Sequence, residues 1–335
     1  MLLQHLNLTL GKIFAILLRR PVRLLVVLSL LLNAPTPGHA AGNRMLLDLP
    51  MGYTLDRGLV ELWGDARFAN KTVDVFNVVE QTEDTFSAFR FGVNAGLFER
   101  LTLGGWLEEQ QYDISPRLPD GAQVDRRRLG LRFNLRPETE ELPAFTLGFD
   151  YLRNRTSDLT VILLPQTRAR IRQAFGDETY QLSWLSSRRW SSWFAVHPLL
   201  SWASTTVLGE SQHTWTVGTN LEFQVTENLV LAGGIRRLFI TRHGGMELNI
   251  FGPNVRFRRI NVPETDSNTV LEARVVYFLH PNVSLQLFGA FFANGLAGEV
   301  PHLNILAEQF SPGTLARFGY VGVGINYRFS FPGWK

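Results

Sequence analysis

Asp125-Arg126-Arg127-Arg128-Leu129-Gly130-Leu131-Arg132-Phe133-Asn134-Leu135-Arg136 carries the fold in miniature. Leu129, Leu131, Phe133 and Leu135 take every second position, with Arg128, Gly130, Arg132, Asn134 and Arg136 between them. A period of two places the two sets on opposite faces of an extended strand. The same period returns in Trp215, Val217, Leu221, Phe223 and Val225, in Leu271, Ala273, Val275, Tyr277 and Leu279, and in Val321, Val323, Ile325, Tyr327, Phe329 and Phe331. Read along the chain, it predicts strands near 58–68, 85–95, 100–112, 125–136, 143–153, 178–187, 192–203, 213–225, 229–241, 269–279, 283–293 and 315–331. That makes twelve. The strand at 192–203 is the weakest, because Pro198 cannot donate to a ladder.

Alternation alone does not say which face meets water. A soluble sandwich would bury the residues that a membrane barrel turns to lipid. Two features favour the barrel. The strands are about 9–11 residues or longer, as a membrane strand must be, against about 5–6 in soluble proteins. The connections also alternate short and long. Gly96 to Glu99, Pro137 to Leu142, Ser187 to Ser191, Thr226 to Asn228 and His280 to Asn282 are short, whereas 69–84, 113–124, 154–177, 204–212, 242–268 and 294–314 are long. Barrels of the outer membrane segregate their connections in this way, with short periplasmic turns and long external loops.

The stretch Gly324-Ile325-Asn326-Tyr327-Arg328-Phe329 resembles the C-terminal assembly signal of Gram-negative outer-membrane β-barrel proteins, a porin-like superfamily. Gly324 is followed by aromatics at Tyr327 and Phe329, and Phe331 continues the series. The superfamily usually ends on the aromatic, whereas this chain runs on through Pro332-Gly333-Trp334-Lys335. Gly96-Leu97-Phe98-Glu99-Arg100-Leu101-Thr102-Leu103-Gly104 is similar to the periplasmic turns of the same superfamily. The resemblance implies an all-β, transmembrane, antiparallel up-and-down barrel over 58–331, inserted by the barrel-assembly machinery among outer-membrane lipid and lipopolysaccharide. Short hairpins at 159–173 and 246–260 would raise twelve strands to fourteen or sixteen if they crossed the bilayer. Twelve is the expectation, because their strands are short.

Residues 1–40 read as a signal peptide. Arg19, Arg20 and Arg23 precede the apolar run Leu24 to Leu32, and Gly38-His39-Ala40 offers a cleavage site. Residues 41–57 form a periplasmic lead-in, and 332–335 a periplasmic tail. Setting aside Lys12, Arg19, Arg20 and Arg23 from the 33 basic residues leaves 29 against 30 acids. A nearly neutral exported chain has no compositional case for nucleic-acid binding. The absence of cysteine excludes a disulfide framework and a thiolate metal site. Of the 29 remaining basic residues, 27 are arginines and only Lys71 and Lys335 are lysines.

With the apolar set facing lipid, the lumen receives Glu61, Asp65, Arg67, Arg90, Glu108, Arg126, Arg128, Arg132, Arg136, Asp150, Glu222, Glu272, Arg274 and Arg328. Arg126, Arg128, Arg132 and Arg136 mark four rungs of one strand, a track for small anions, since guanidinium binds carboxylate and phosphate in a bidentate way. The opposing expectation is that these arginines pair with carboxylates such as Glu222 and Glu272 and plug the lumen. The sequence holds no GxSxG, HExxH, Walker or dinucleotide motif, and its histidines lack the spacing of lipid-active barrels. No catalytic residue, metal or cofactor is expected. The functional expectation is therefore a passive outer-membrane channel for small anionic solutes. The alternative is a non-conducting barrel that serves envelope assembly or polysaccharide export.

Overall fold

The computed structural model describes residues 50–69, 85–113, 122–157, 159–164, 167–171, 175–207, 210–242, 265–294, 298–310 and 318–331. The leader at 1–40, residues 41–49, the hairpin expected at 246–260 and the tail at 332–335 lie outside the described residues. Twelve antiparallel strands close into one barrel. They are β1 (Leu59–Ala69), β2 (Thr85–Phe98), β3 (Leu101–Asp113), β4 (Ala122–Arg136), β5 (Ala144–Ser157), β8 (Phe175–Ser191), β9 (Phe194–Val207), β10 (Glu210–Thr226), β11 (Leu229–Arg242), β12 (Thr265–His280), β13 (Val283–Phe292) and β14 (Phe318–Ser330). β6 (Leu159–Leu164) and β7 (Thr167–Ile171) pair with each other as a separate hairpin. β5 pairs directly with β8, so the β6–β7 hairpin stays out of the wall, and β11 pairs directly with β12, which makes the wall twelve strands.

Each wall strand pairs with its sequence neighbour in the wall, and β1 seals the cylinder against β14 from Leu59↔Ser330 to Phe68↔Val321. Closure leaves no strand edge, which a hydrocarbon environment requires of a β structure. At Pro198 the β9–β10 ladder is continuous through Pro198↔Thr219, whereas the β8–β9 ladder steps from Leu185↔Leu199 to Arg188↔Val196. The proline costs bonding on one side only.

Accessibility settles which face is which. Leu129, Phe133, Phe149, Ile235, Leu287 and Val323 are exposed, while Glu61, Asp65, Arg90, Glu108 and Arg126 are less than 5% exposed. The charged face is inside and the apolar face outside, the inverse of a soluble sandwich. So large an apolar surface far exceeds the patches that a soluble monomer shows, and it is satisfied by lipid. Outward aromatics gather towards the ends. Tyr327, Phe329 and Phe331 stack in sequence at the short-turn end, and Tyr151 meets Tyr180 nearer the long loops. Several strands outrun their predicted bounds at the long-loop end: β12 begins at Thr265, and β9 reaches Val207. There the outward positions turn polar, so the hydrophobic period fades while the backbone ladder continues.

Leu131 lies midway along the apolar stripe of β4, between Leu129 and Phe133. Leu131→Arg should cost about 2–4 kcal/mol, as arginine does near the bilayer midplane. Urea unfolding of the barrel in lipid vesicles measures it, against a small change for Asp125→Asn at the polar end of the same face.

Candidate functional site

Pairing register builds the lumen. One rung places Asp65 opposite Arg90, Arg90 opposite Glu108, Glu108 opposite Arg126, Arg126 opposite Asn154 and Asn154 opposite Asp177, across six adjacent strands. Alternating signs let each carboxylate serve two guanidinium groups. Arg90 donates to Asp65 Oδ2 from Nε and Nη2 at 2.9 and 2.7 Å, and Arg67 donates to Asp65 Oδ1 at 3.0 Å. Arg67 and Arg126 then hold the two oxygens of Glu108, each at 3.1 Å. Arg126 also donates to Asn154 Oδ1, and Asn154 to Asp177 Oδ1 at 2.6 Å.

Among the described residues, two segments that are not wall strands bond to the wall's inner face. At the short-turn end, residues 50–57 do more than lead into β1. Gly52 N–H donates to Ser187 Oγ at 2.8 Å, its carbonyl accepts from Asn134 Nδ2 and Thr146 Oγ1, and Leu55 N–H donates to Thr102 Oγ1. Met51 is buried among Val230, Ala232, Val276 and Phe278. Tyr53 donates its hydroxyl to Glu138 at 2.6 Å; burial, then that carboxylate, hold the phenol well above its ordinary range. Ser187 Oγ lies 2.7 Å from His197 Nδ1, beneath the segment.

At the long-loop end, the β13–β14 connection carries helix α1 (Pro301–Phe310). Pro301 suits the first helical position, where its missing N–H is no loss. Gly298 enters the segment with φ +91°, a conformation that other residues rarely adopt. Glu299 meets Arg126 through both its carboxylate and its carbonyl. His302, fully buried, places Nδ1 2.5 Å from Asp177 Oδ2 and Nε2 2.6 Å from Thr156 Oγ1. The order acid, imidazole, hydroxyl is that of a hydrolase triad. Thr156 is as buried as His302, and the two contacts join α1 to β5 and β8.

Between the ends, the lumen arginines take different stations. Arg128 grips Asp150 from Nε and Nη2 at 2.9 and 2.8 Å, and Arg132 lines a cavity of about 40 Å³ beside it. Arg328 donates to Glu61 at 2.9 Å. Arg236 pairs with Glu272, and Arg274 donates to Gln286 while lying over the Phe288 ring. Glu222 pairs with Arg189 at the short-turn end, next to His197. Arg136 departs from the expectation that it faces the lumen. A register shift after Asn134 leaves it opposite Phe145, exposed, donating to the Pro143 carbonyl at the rim. The four-rung track is thus a salt-bridged Arg126 and Arg128, a cavity-lining Arg132 and a rim Arg136. Gly324 faces inward beside Asp65, and Tyr327, Phe329 and Phe331 form the outward stack.

Sequence reasoning missed Trp63 and Trp106, both buried in the lumen. Trp63 shares the parity of Glu61 and Asp65, which was a readable sign. It also missed Asp177, His302, Thr156 and the inserted Met51. The inward apolar pocket for Met51 shows as a lapse of alternation, Val275-Val276-Tyr277-Phe278-Leu279. Nothing local marks the Asp177–His302 pairing, which joins residues 125 positions apart.

Fold and interior together define a transmembrane β-barrel of the outer-membrane type, with a polar, charge-lined interior. No family model and no curated protein matches the sequence. Among solved structures, an outer-membrane channel from Pseudomonas putida F1 matches with TM-score 0.48 and 11% identity, over 86% of this chain and 100% of that one. The translocator domain of the autotransporter NalP from Neisseria meningitidis matches with TM-score 0.47 and 12% identity, over 81% and 87%. The toluene transporter TbuX from Ralstonia pickettii matches with TM-score 0.45 and 9% identity, over 84% and 91%. At such identities the likeness stops at the barrel.

Glu108 is the pivot of the ladder. Glu108→Ala should destabilise the barrel by about 3–5 kcal/mol, because it strands two buried guanidinium groups at once. The urea midpoint in vesicles should fall accordingly, with Asp125→Asn within about 0.5 kcal/mol of wild type.

Proposed function

We propose that the chain is an outer-membrane channel, closed at rest, that passes small polar and preferentially anionic solutes when one of its end segments is displaced. The observation that carries this reading is the division of labour inside the barrel. The wall is a complete cylinder without residues 50–57 or α1, and these two added segments bond to it from within, which supports reading them as the plug. A barrel of about twelve strands is wide enough to leave an aqueous path once such segments move. The anion preference rests on Arg132, which lines the central cavity; Arg128 beside it is paired with Asp150. The ladder arginines contribute little to it, because Asp65 and Glu108 neutralise them. By the same reading the short-turn end faces the periplasm, the exported chain is inserted by the barrel-assembly machinery through the Gly324–Phe331 strand, and its belt contacts lipid and lipopolysaccharide.

A second reading has its own support: so many lumen charges are paired that the barrel would serve as a non-conducting partner in envelope assembly or polysaccharide export. Planar-bilayer recording separates the two. The wild-type barrel should conduct weakly. A variant with Glu299→Ala and His302→Ala should conduct at least several-fold more, with anions favoured, because α1 loses both anchors to the wall. Heat-modifiable gel migration checks that the variant is folded. A folded variant as silent as wild type would sink the channel and leave the non-conducting reading.

A further inference from the structure

Arg237 is exposed on the outward face of β11, between the exposed Ile235 and Phe239. It stands opposite Val217 of β10 and Thr269 of β12. Outward positions flanked in this way face lipid, where a cation is costly in proportion to its depth. The side chain reaches towards the long-loop end. Its Nη1 donates to Thr269 Oγ1 at 2.5 Å, its Nη2 donates to Ser267 Oγ at 2.7 Å, and its Cζ lies 6.0 Å from the Phe239 ring centroid. The guanidinium is thereby drawn towards the row in which Trp215, Phe239 and Ser267 stand side by side across β10, β11 and β12. Aromatic rings beside hydroxyls mark the level of lipid headgroups.

No carboxylate answers this charge from the same face. Among the described side chains, the outward positions of β10, β11 and β12 hold no aspartate or glutamate. Asp266, next to Ser267 in sequence, faces inward and bonds Arg242 and Asn294. The outward arginines of β5 are placed differently: Arg153 lies 3.4 Å from Glu178, and Arg155 stands opposite Asp125. The partners of Arg237 are two neutral hydroxyls. Each accepts from the guanidinium and keeps its own proton, so each can still donate. The Nε–H of Arg237 has no acceptor among the described residues. A positive patch that offers a guanidinium edge and two hydroxyls, at headgroup level, matches a phosphate, which accepts from every side. At the long-loop end of an outer-membrane barrel, the phosphates within reach are those of the outer leaflet's glycolipid.

We infer that Arg237, Ser267 and Thr269 form a site on the outer wall for one phosphate of the lipid anchor of lipopolysaccharide. The inference deepens the lipid contact of the proposed function and rests on the orientation given there, with the long loops outside. It does not require that the barrel conduct.

Bisphosphorylated lipid A is the probe, added to the folded barrel in detergent and read by native mass spectrometry. Arg237→Gln should retain it several-fold less than wild type, and Ser267→Ala combined with Thr269→Ala should also retain less. Arg153→Gln, whose guanidinium already pairs with Glu178, should match wild type. Dephosphorylated lipid A should bind wild type no better than it binds Arg237→Gln. If Arg237→Gln fails the heat-modifiability check, Arg237→Lys keeps the charge without the fork and should still retain several-fold less. Undiminished retention by the Arg237 variants, or an equal loss in Arg153→Gln, overturns the site. Phosphatidylglycerol at the same concentration should bind several-fold more weakly than lipid A, and equal binding would overturn the assignment to lipopolysaccharide. Orientation is read separately. The chain has no cysteine, so Gly209→Cys, between β9 and β10, should react with a membrane-impermeant maleimide on intact cells. Labelling without retention of lipid A refutes the site alone. Labelling only after the cells are broken refutes the orientation, and the assignment to lipopolysaccharide with it, whatever the purified barrel binds.

Discussion

A charge sealed inside a barrel has no water to fall back on, and every other feature of this lumen follows from that. Removing one member of a buried pair is far costlier than the pair is stabilising, so the charges must come as a matched set. Here the matching is done by register. Asp65, Arg90, Glu108 and Arg126 alternate in sign across β1 to β4 because the ladder places them directly opposite one another. A one-residue slip in any of these strands would turn its charges to lipid and its leucines inward. The apolar outer face and the charged inner face thus enforce the same register independently. The network also extends beyond the wall, through Asn154 and Asp177 to His302 and through Arg126 to Glu299.

The two end segments use different chemistry, and the difference bears on how each is released. Residues 50–57 are held by neutral hydrogen bonds to Ser187, Asn134, Thr146 and Thr102, and by Met51 in an apolar pocket. The α1 segment is held by the Arg126–Glu299 ion pair and by hydrogen bonds of His302 to Asp177 and Thr156, with Val300, Leu303 and Ile305 buried beneath. An ion pair is the stronger kind of contact, and burial shields it from salt. The lead-in continues directly into β1, and its release would strain the sealing strand pair with β14. The α1 segment supplies partners to Arg126 and Asp177, so its release would take a partner from each of those wall charges.

The wall was legible in the sequence because it is governed by period two, and the period survives wherever one face meets hydrocarbon. All twelve strands follow from it, including the one at Phe194–Val207 that Pro198 weakened. Arg67, Arg90, Arg126, Arg128 and Arg328 lie on the inward face that their parity assigns, whereas Arg136 is exposed at the rim because a register shift is invisible to alternation. Interior contacts from outside the wall were not legible. His302 meets Asp177 and Gly52 meets Ser187 across more than a hundred residues, and neither pair leaves a spacing pattern. The helix at Pro301–Phe310 was read as loop, since ten residues inside a long connection carry too little period to stand out.

The excess of arginine over lysine, which the sequence invites one to read as affinity for anions, has a prior explanation in the packing. Arg90 does two jobs at once: it bonds Asp65 edge-on and lies over Trp63 face-on. Arg67 likewise bonds Asp65 and Glu108 while stacking on Tyr320, and Arg126 bonds Glu108 and Asn154 while stacking on Trp106. A planar guanidinium has an edge for carboxylates and a face for rings; an ammonium has neither. Lysine would satisfy one carboxylate oxygen and leave the rest of the rung unbonded. The ladder needs arginine whether or not any solute ever enters.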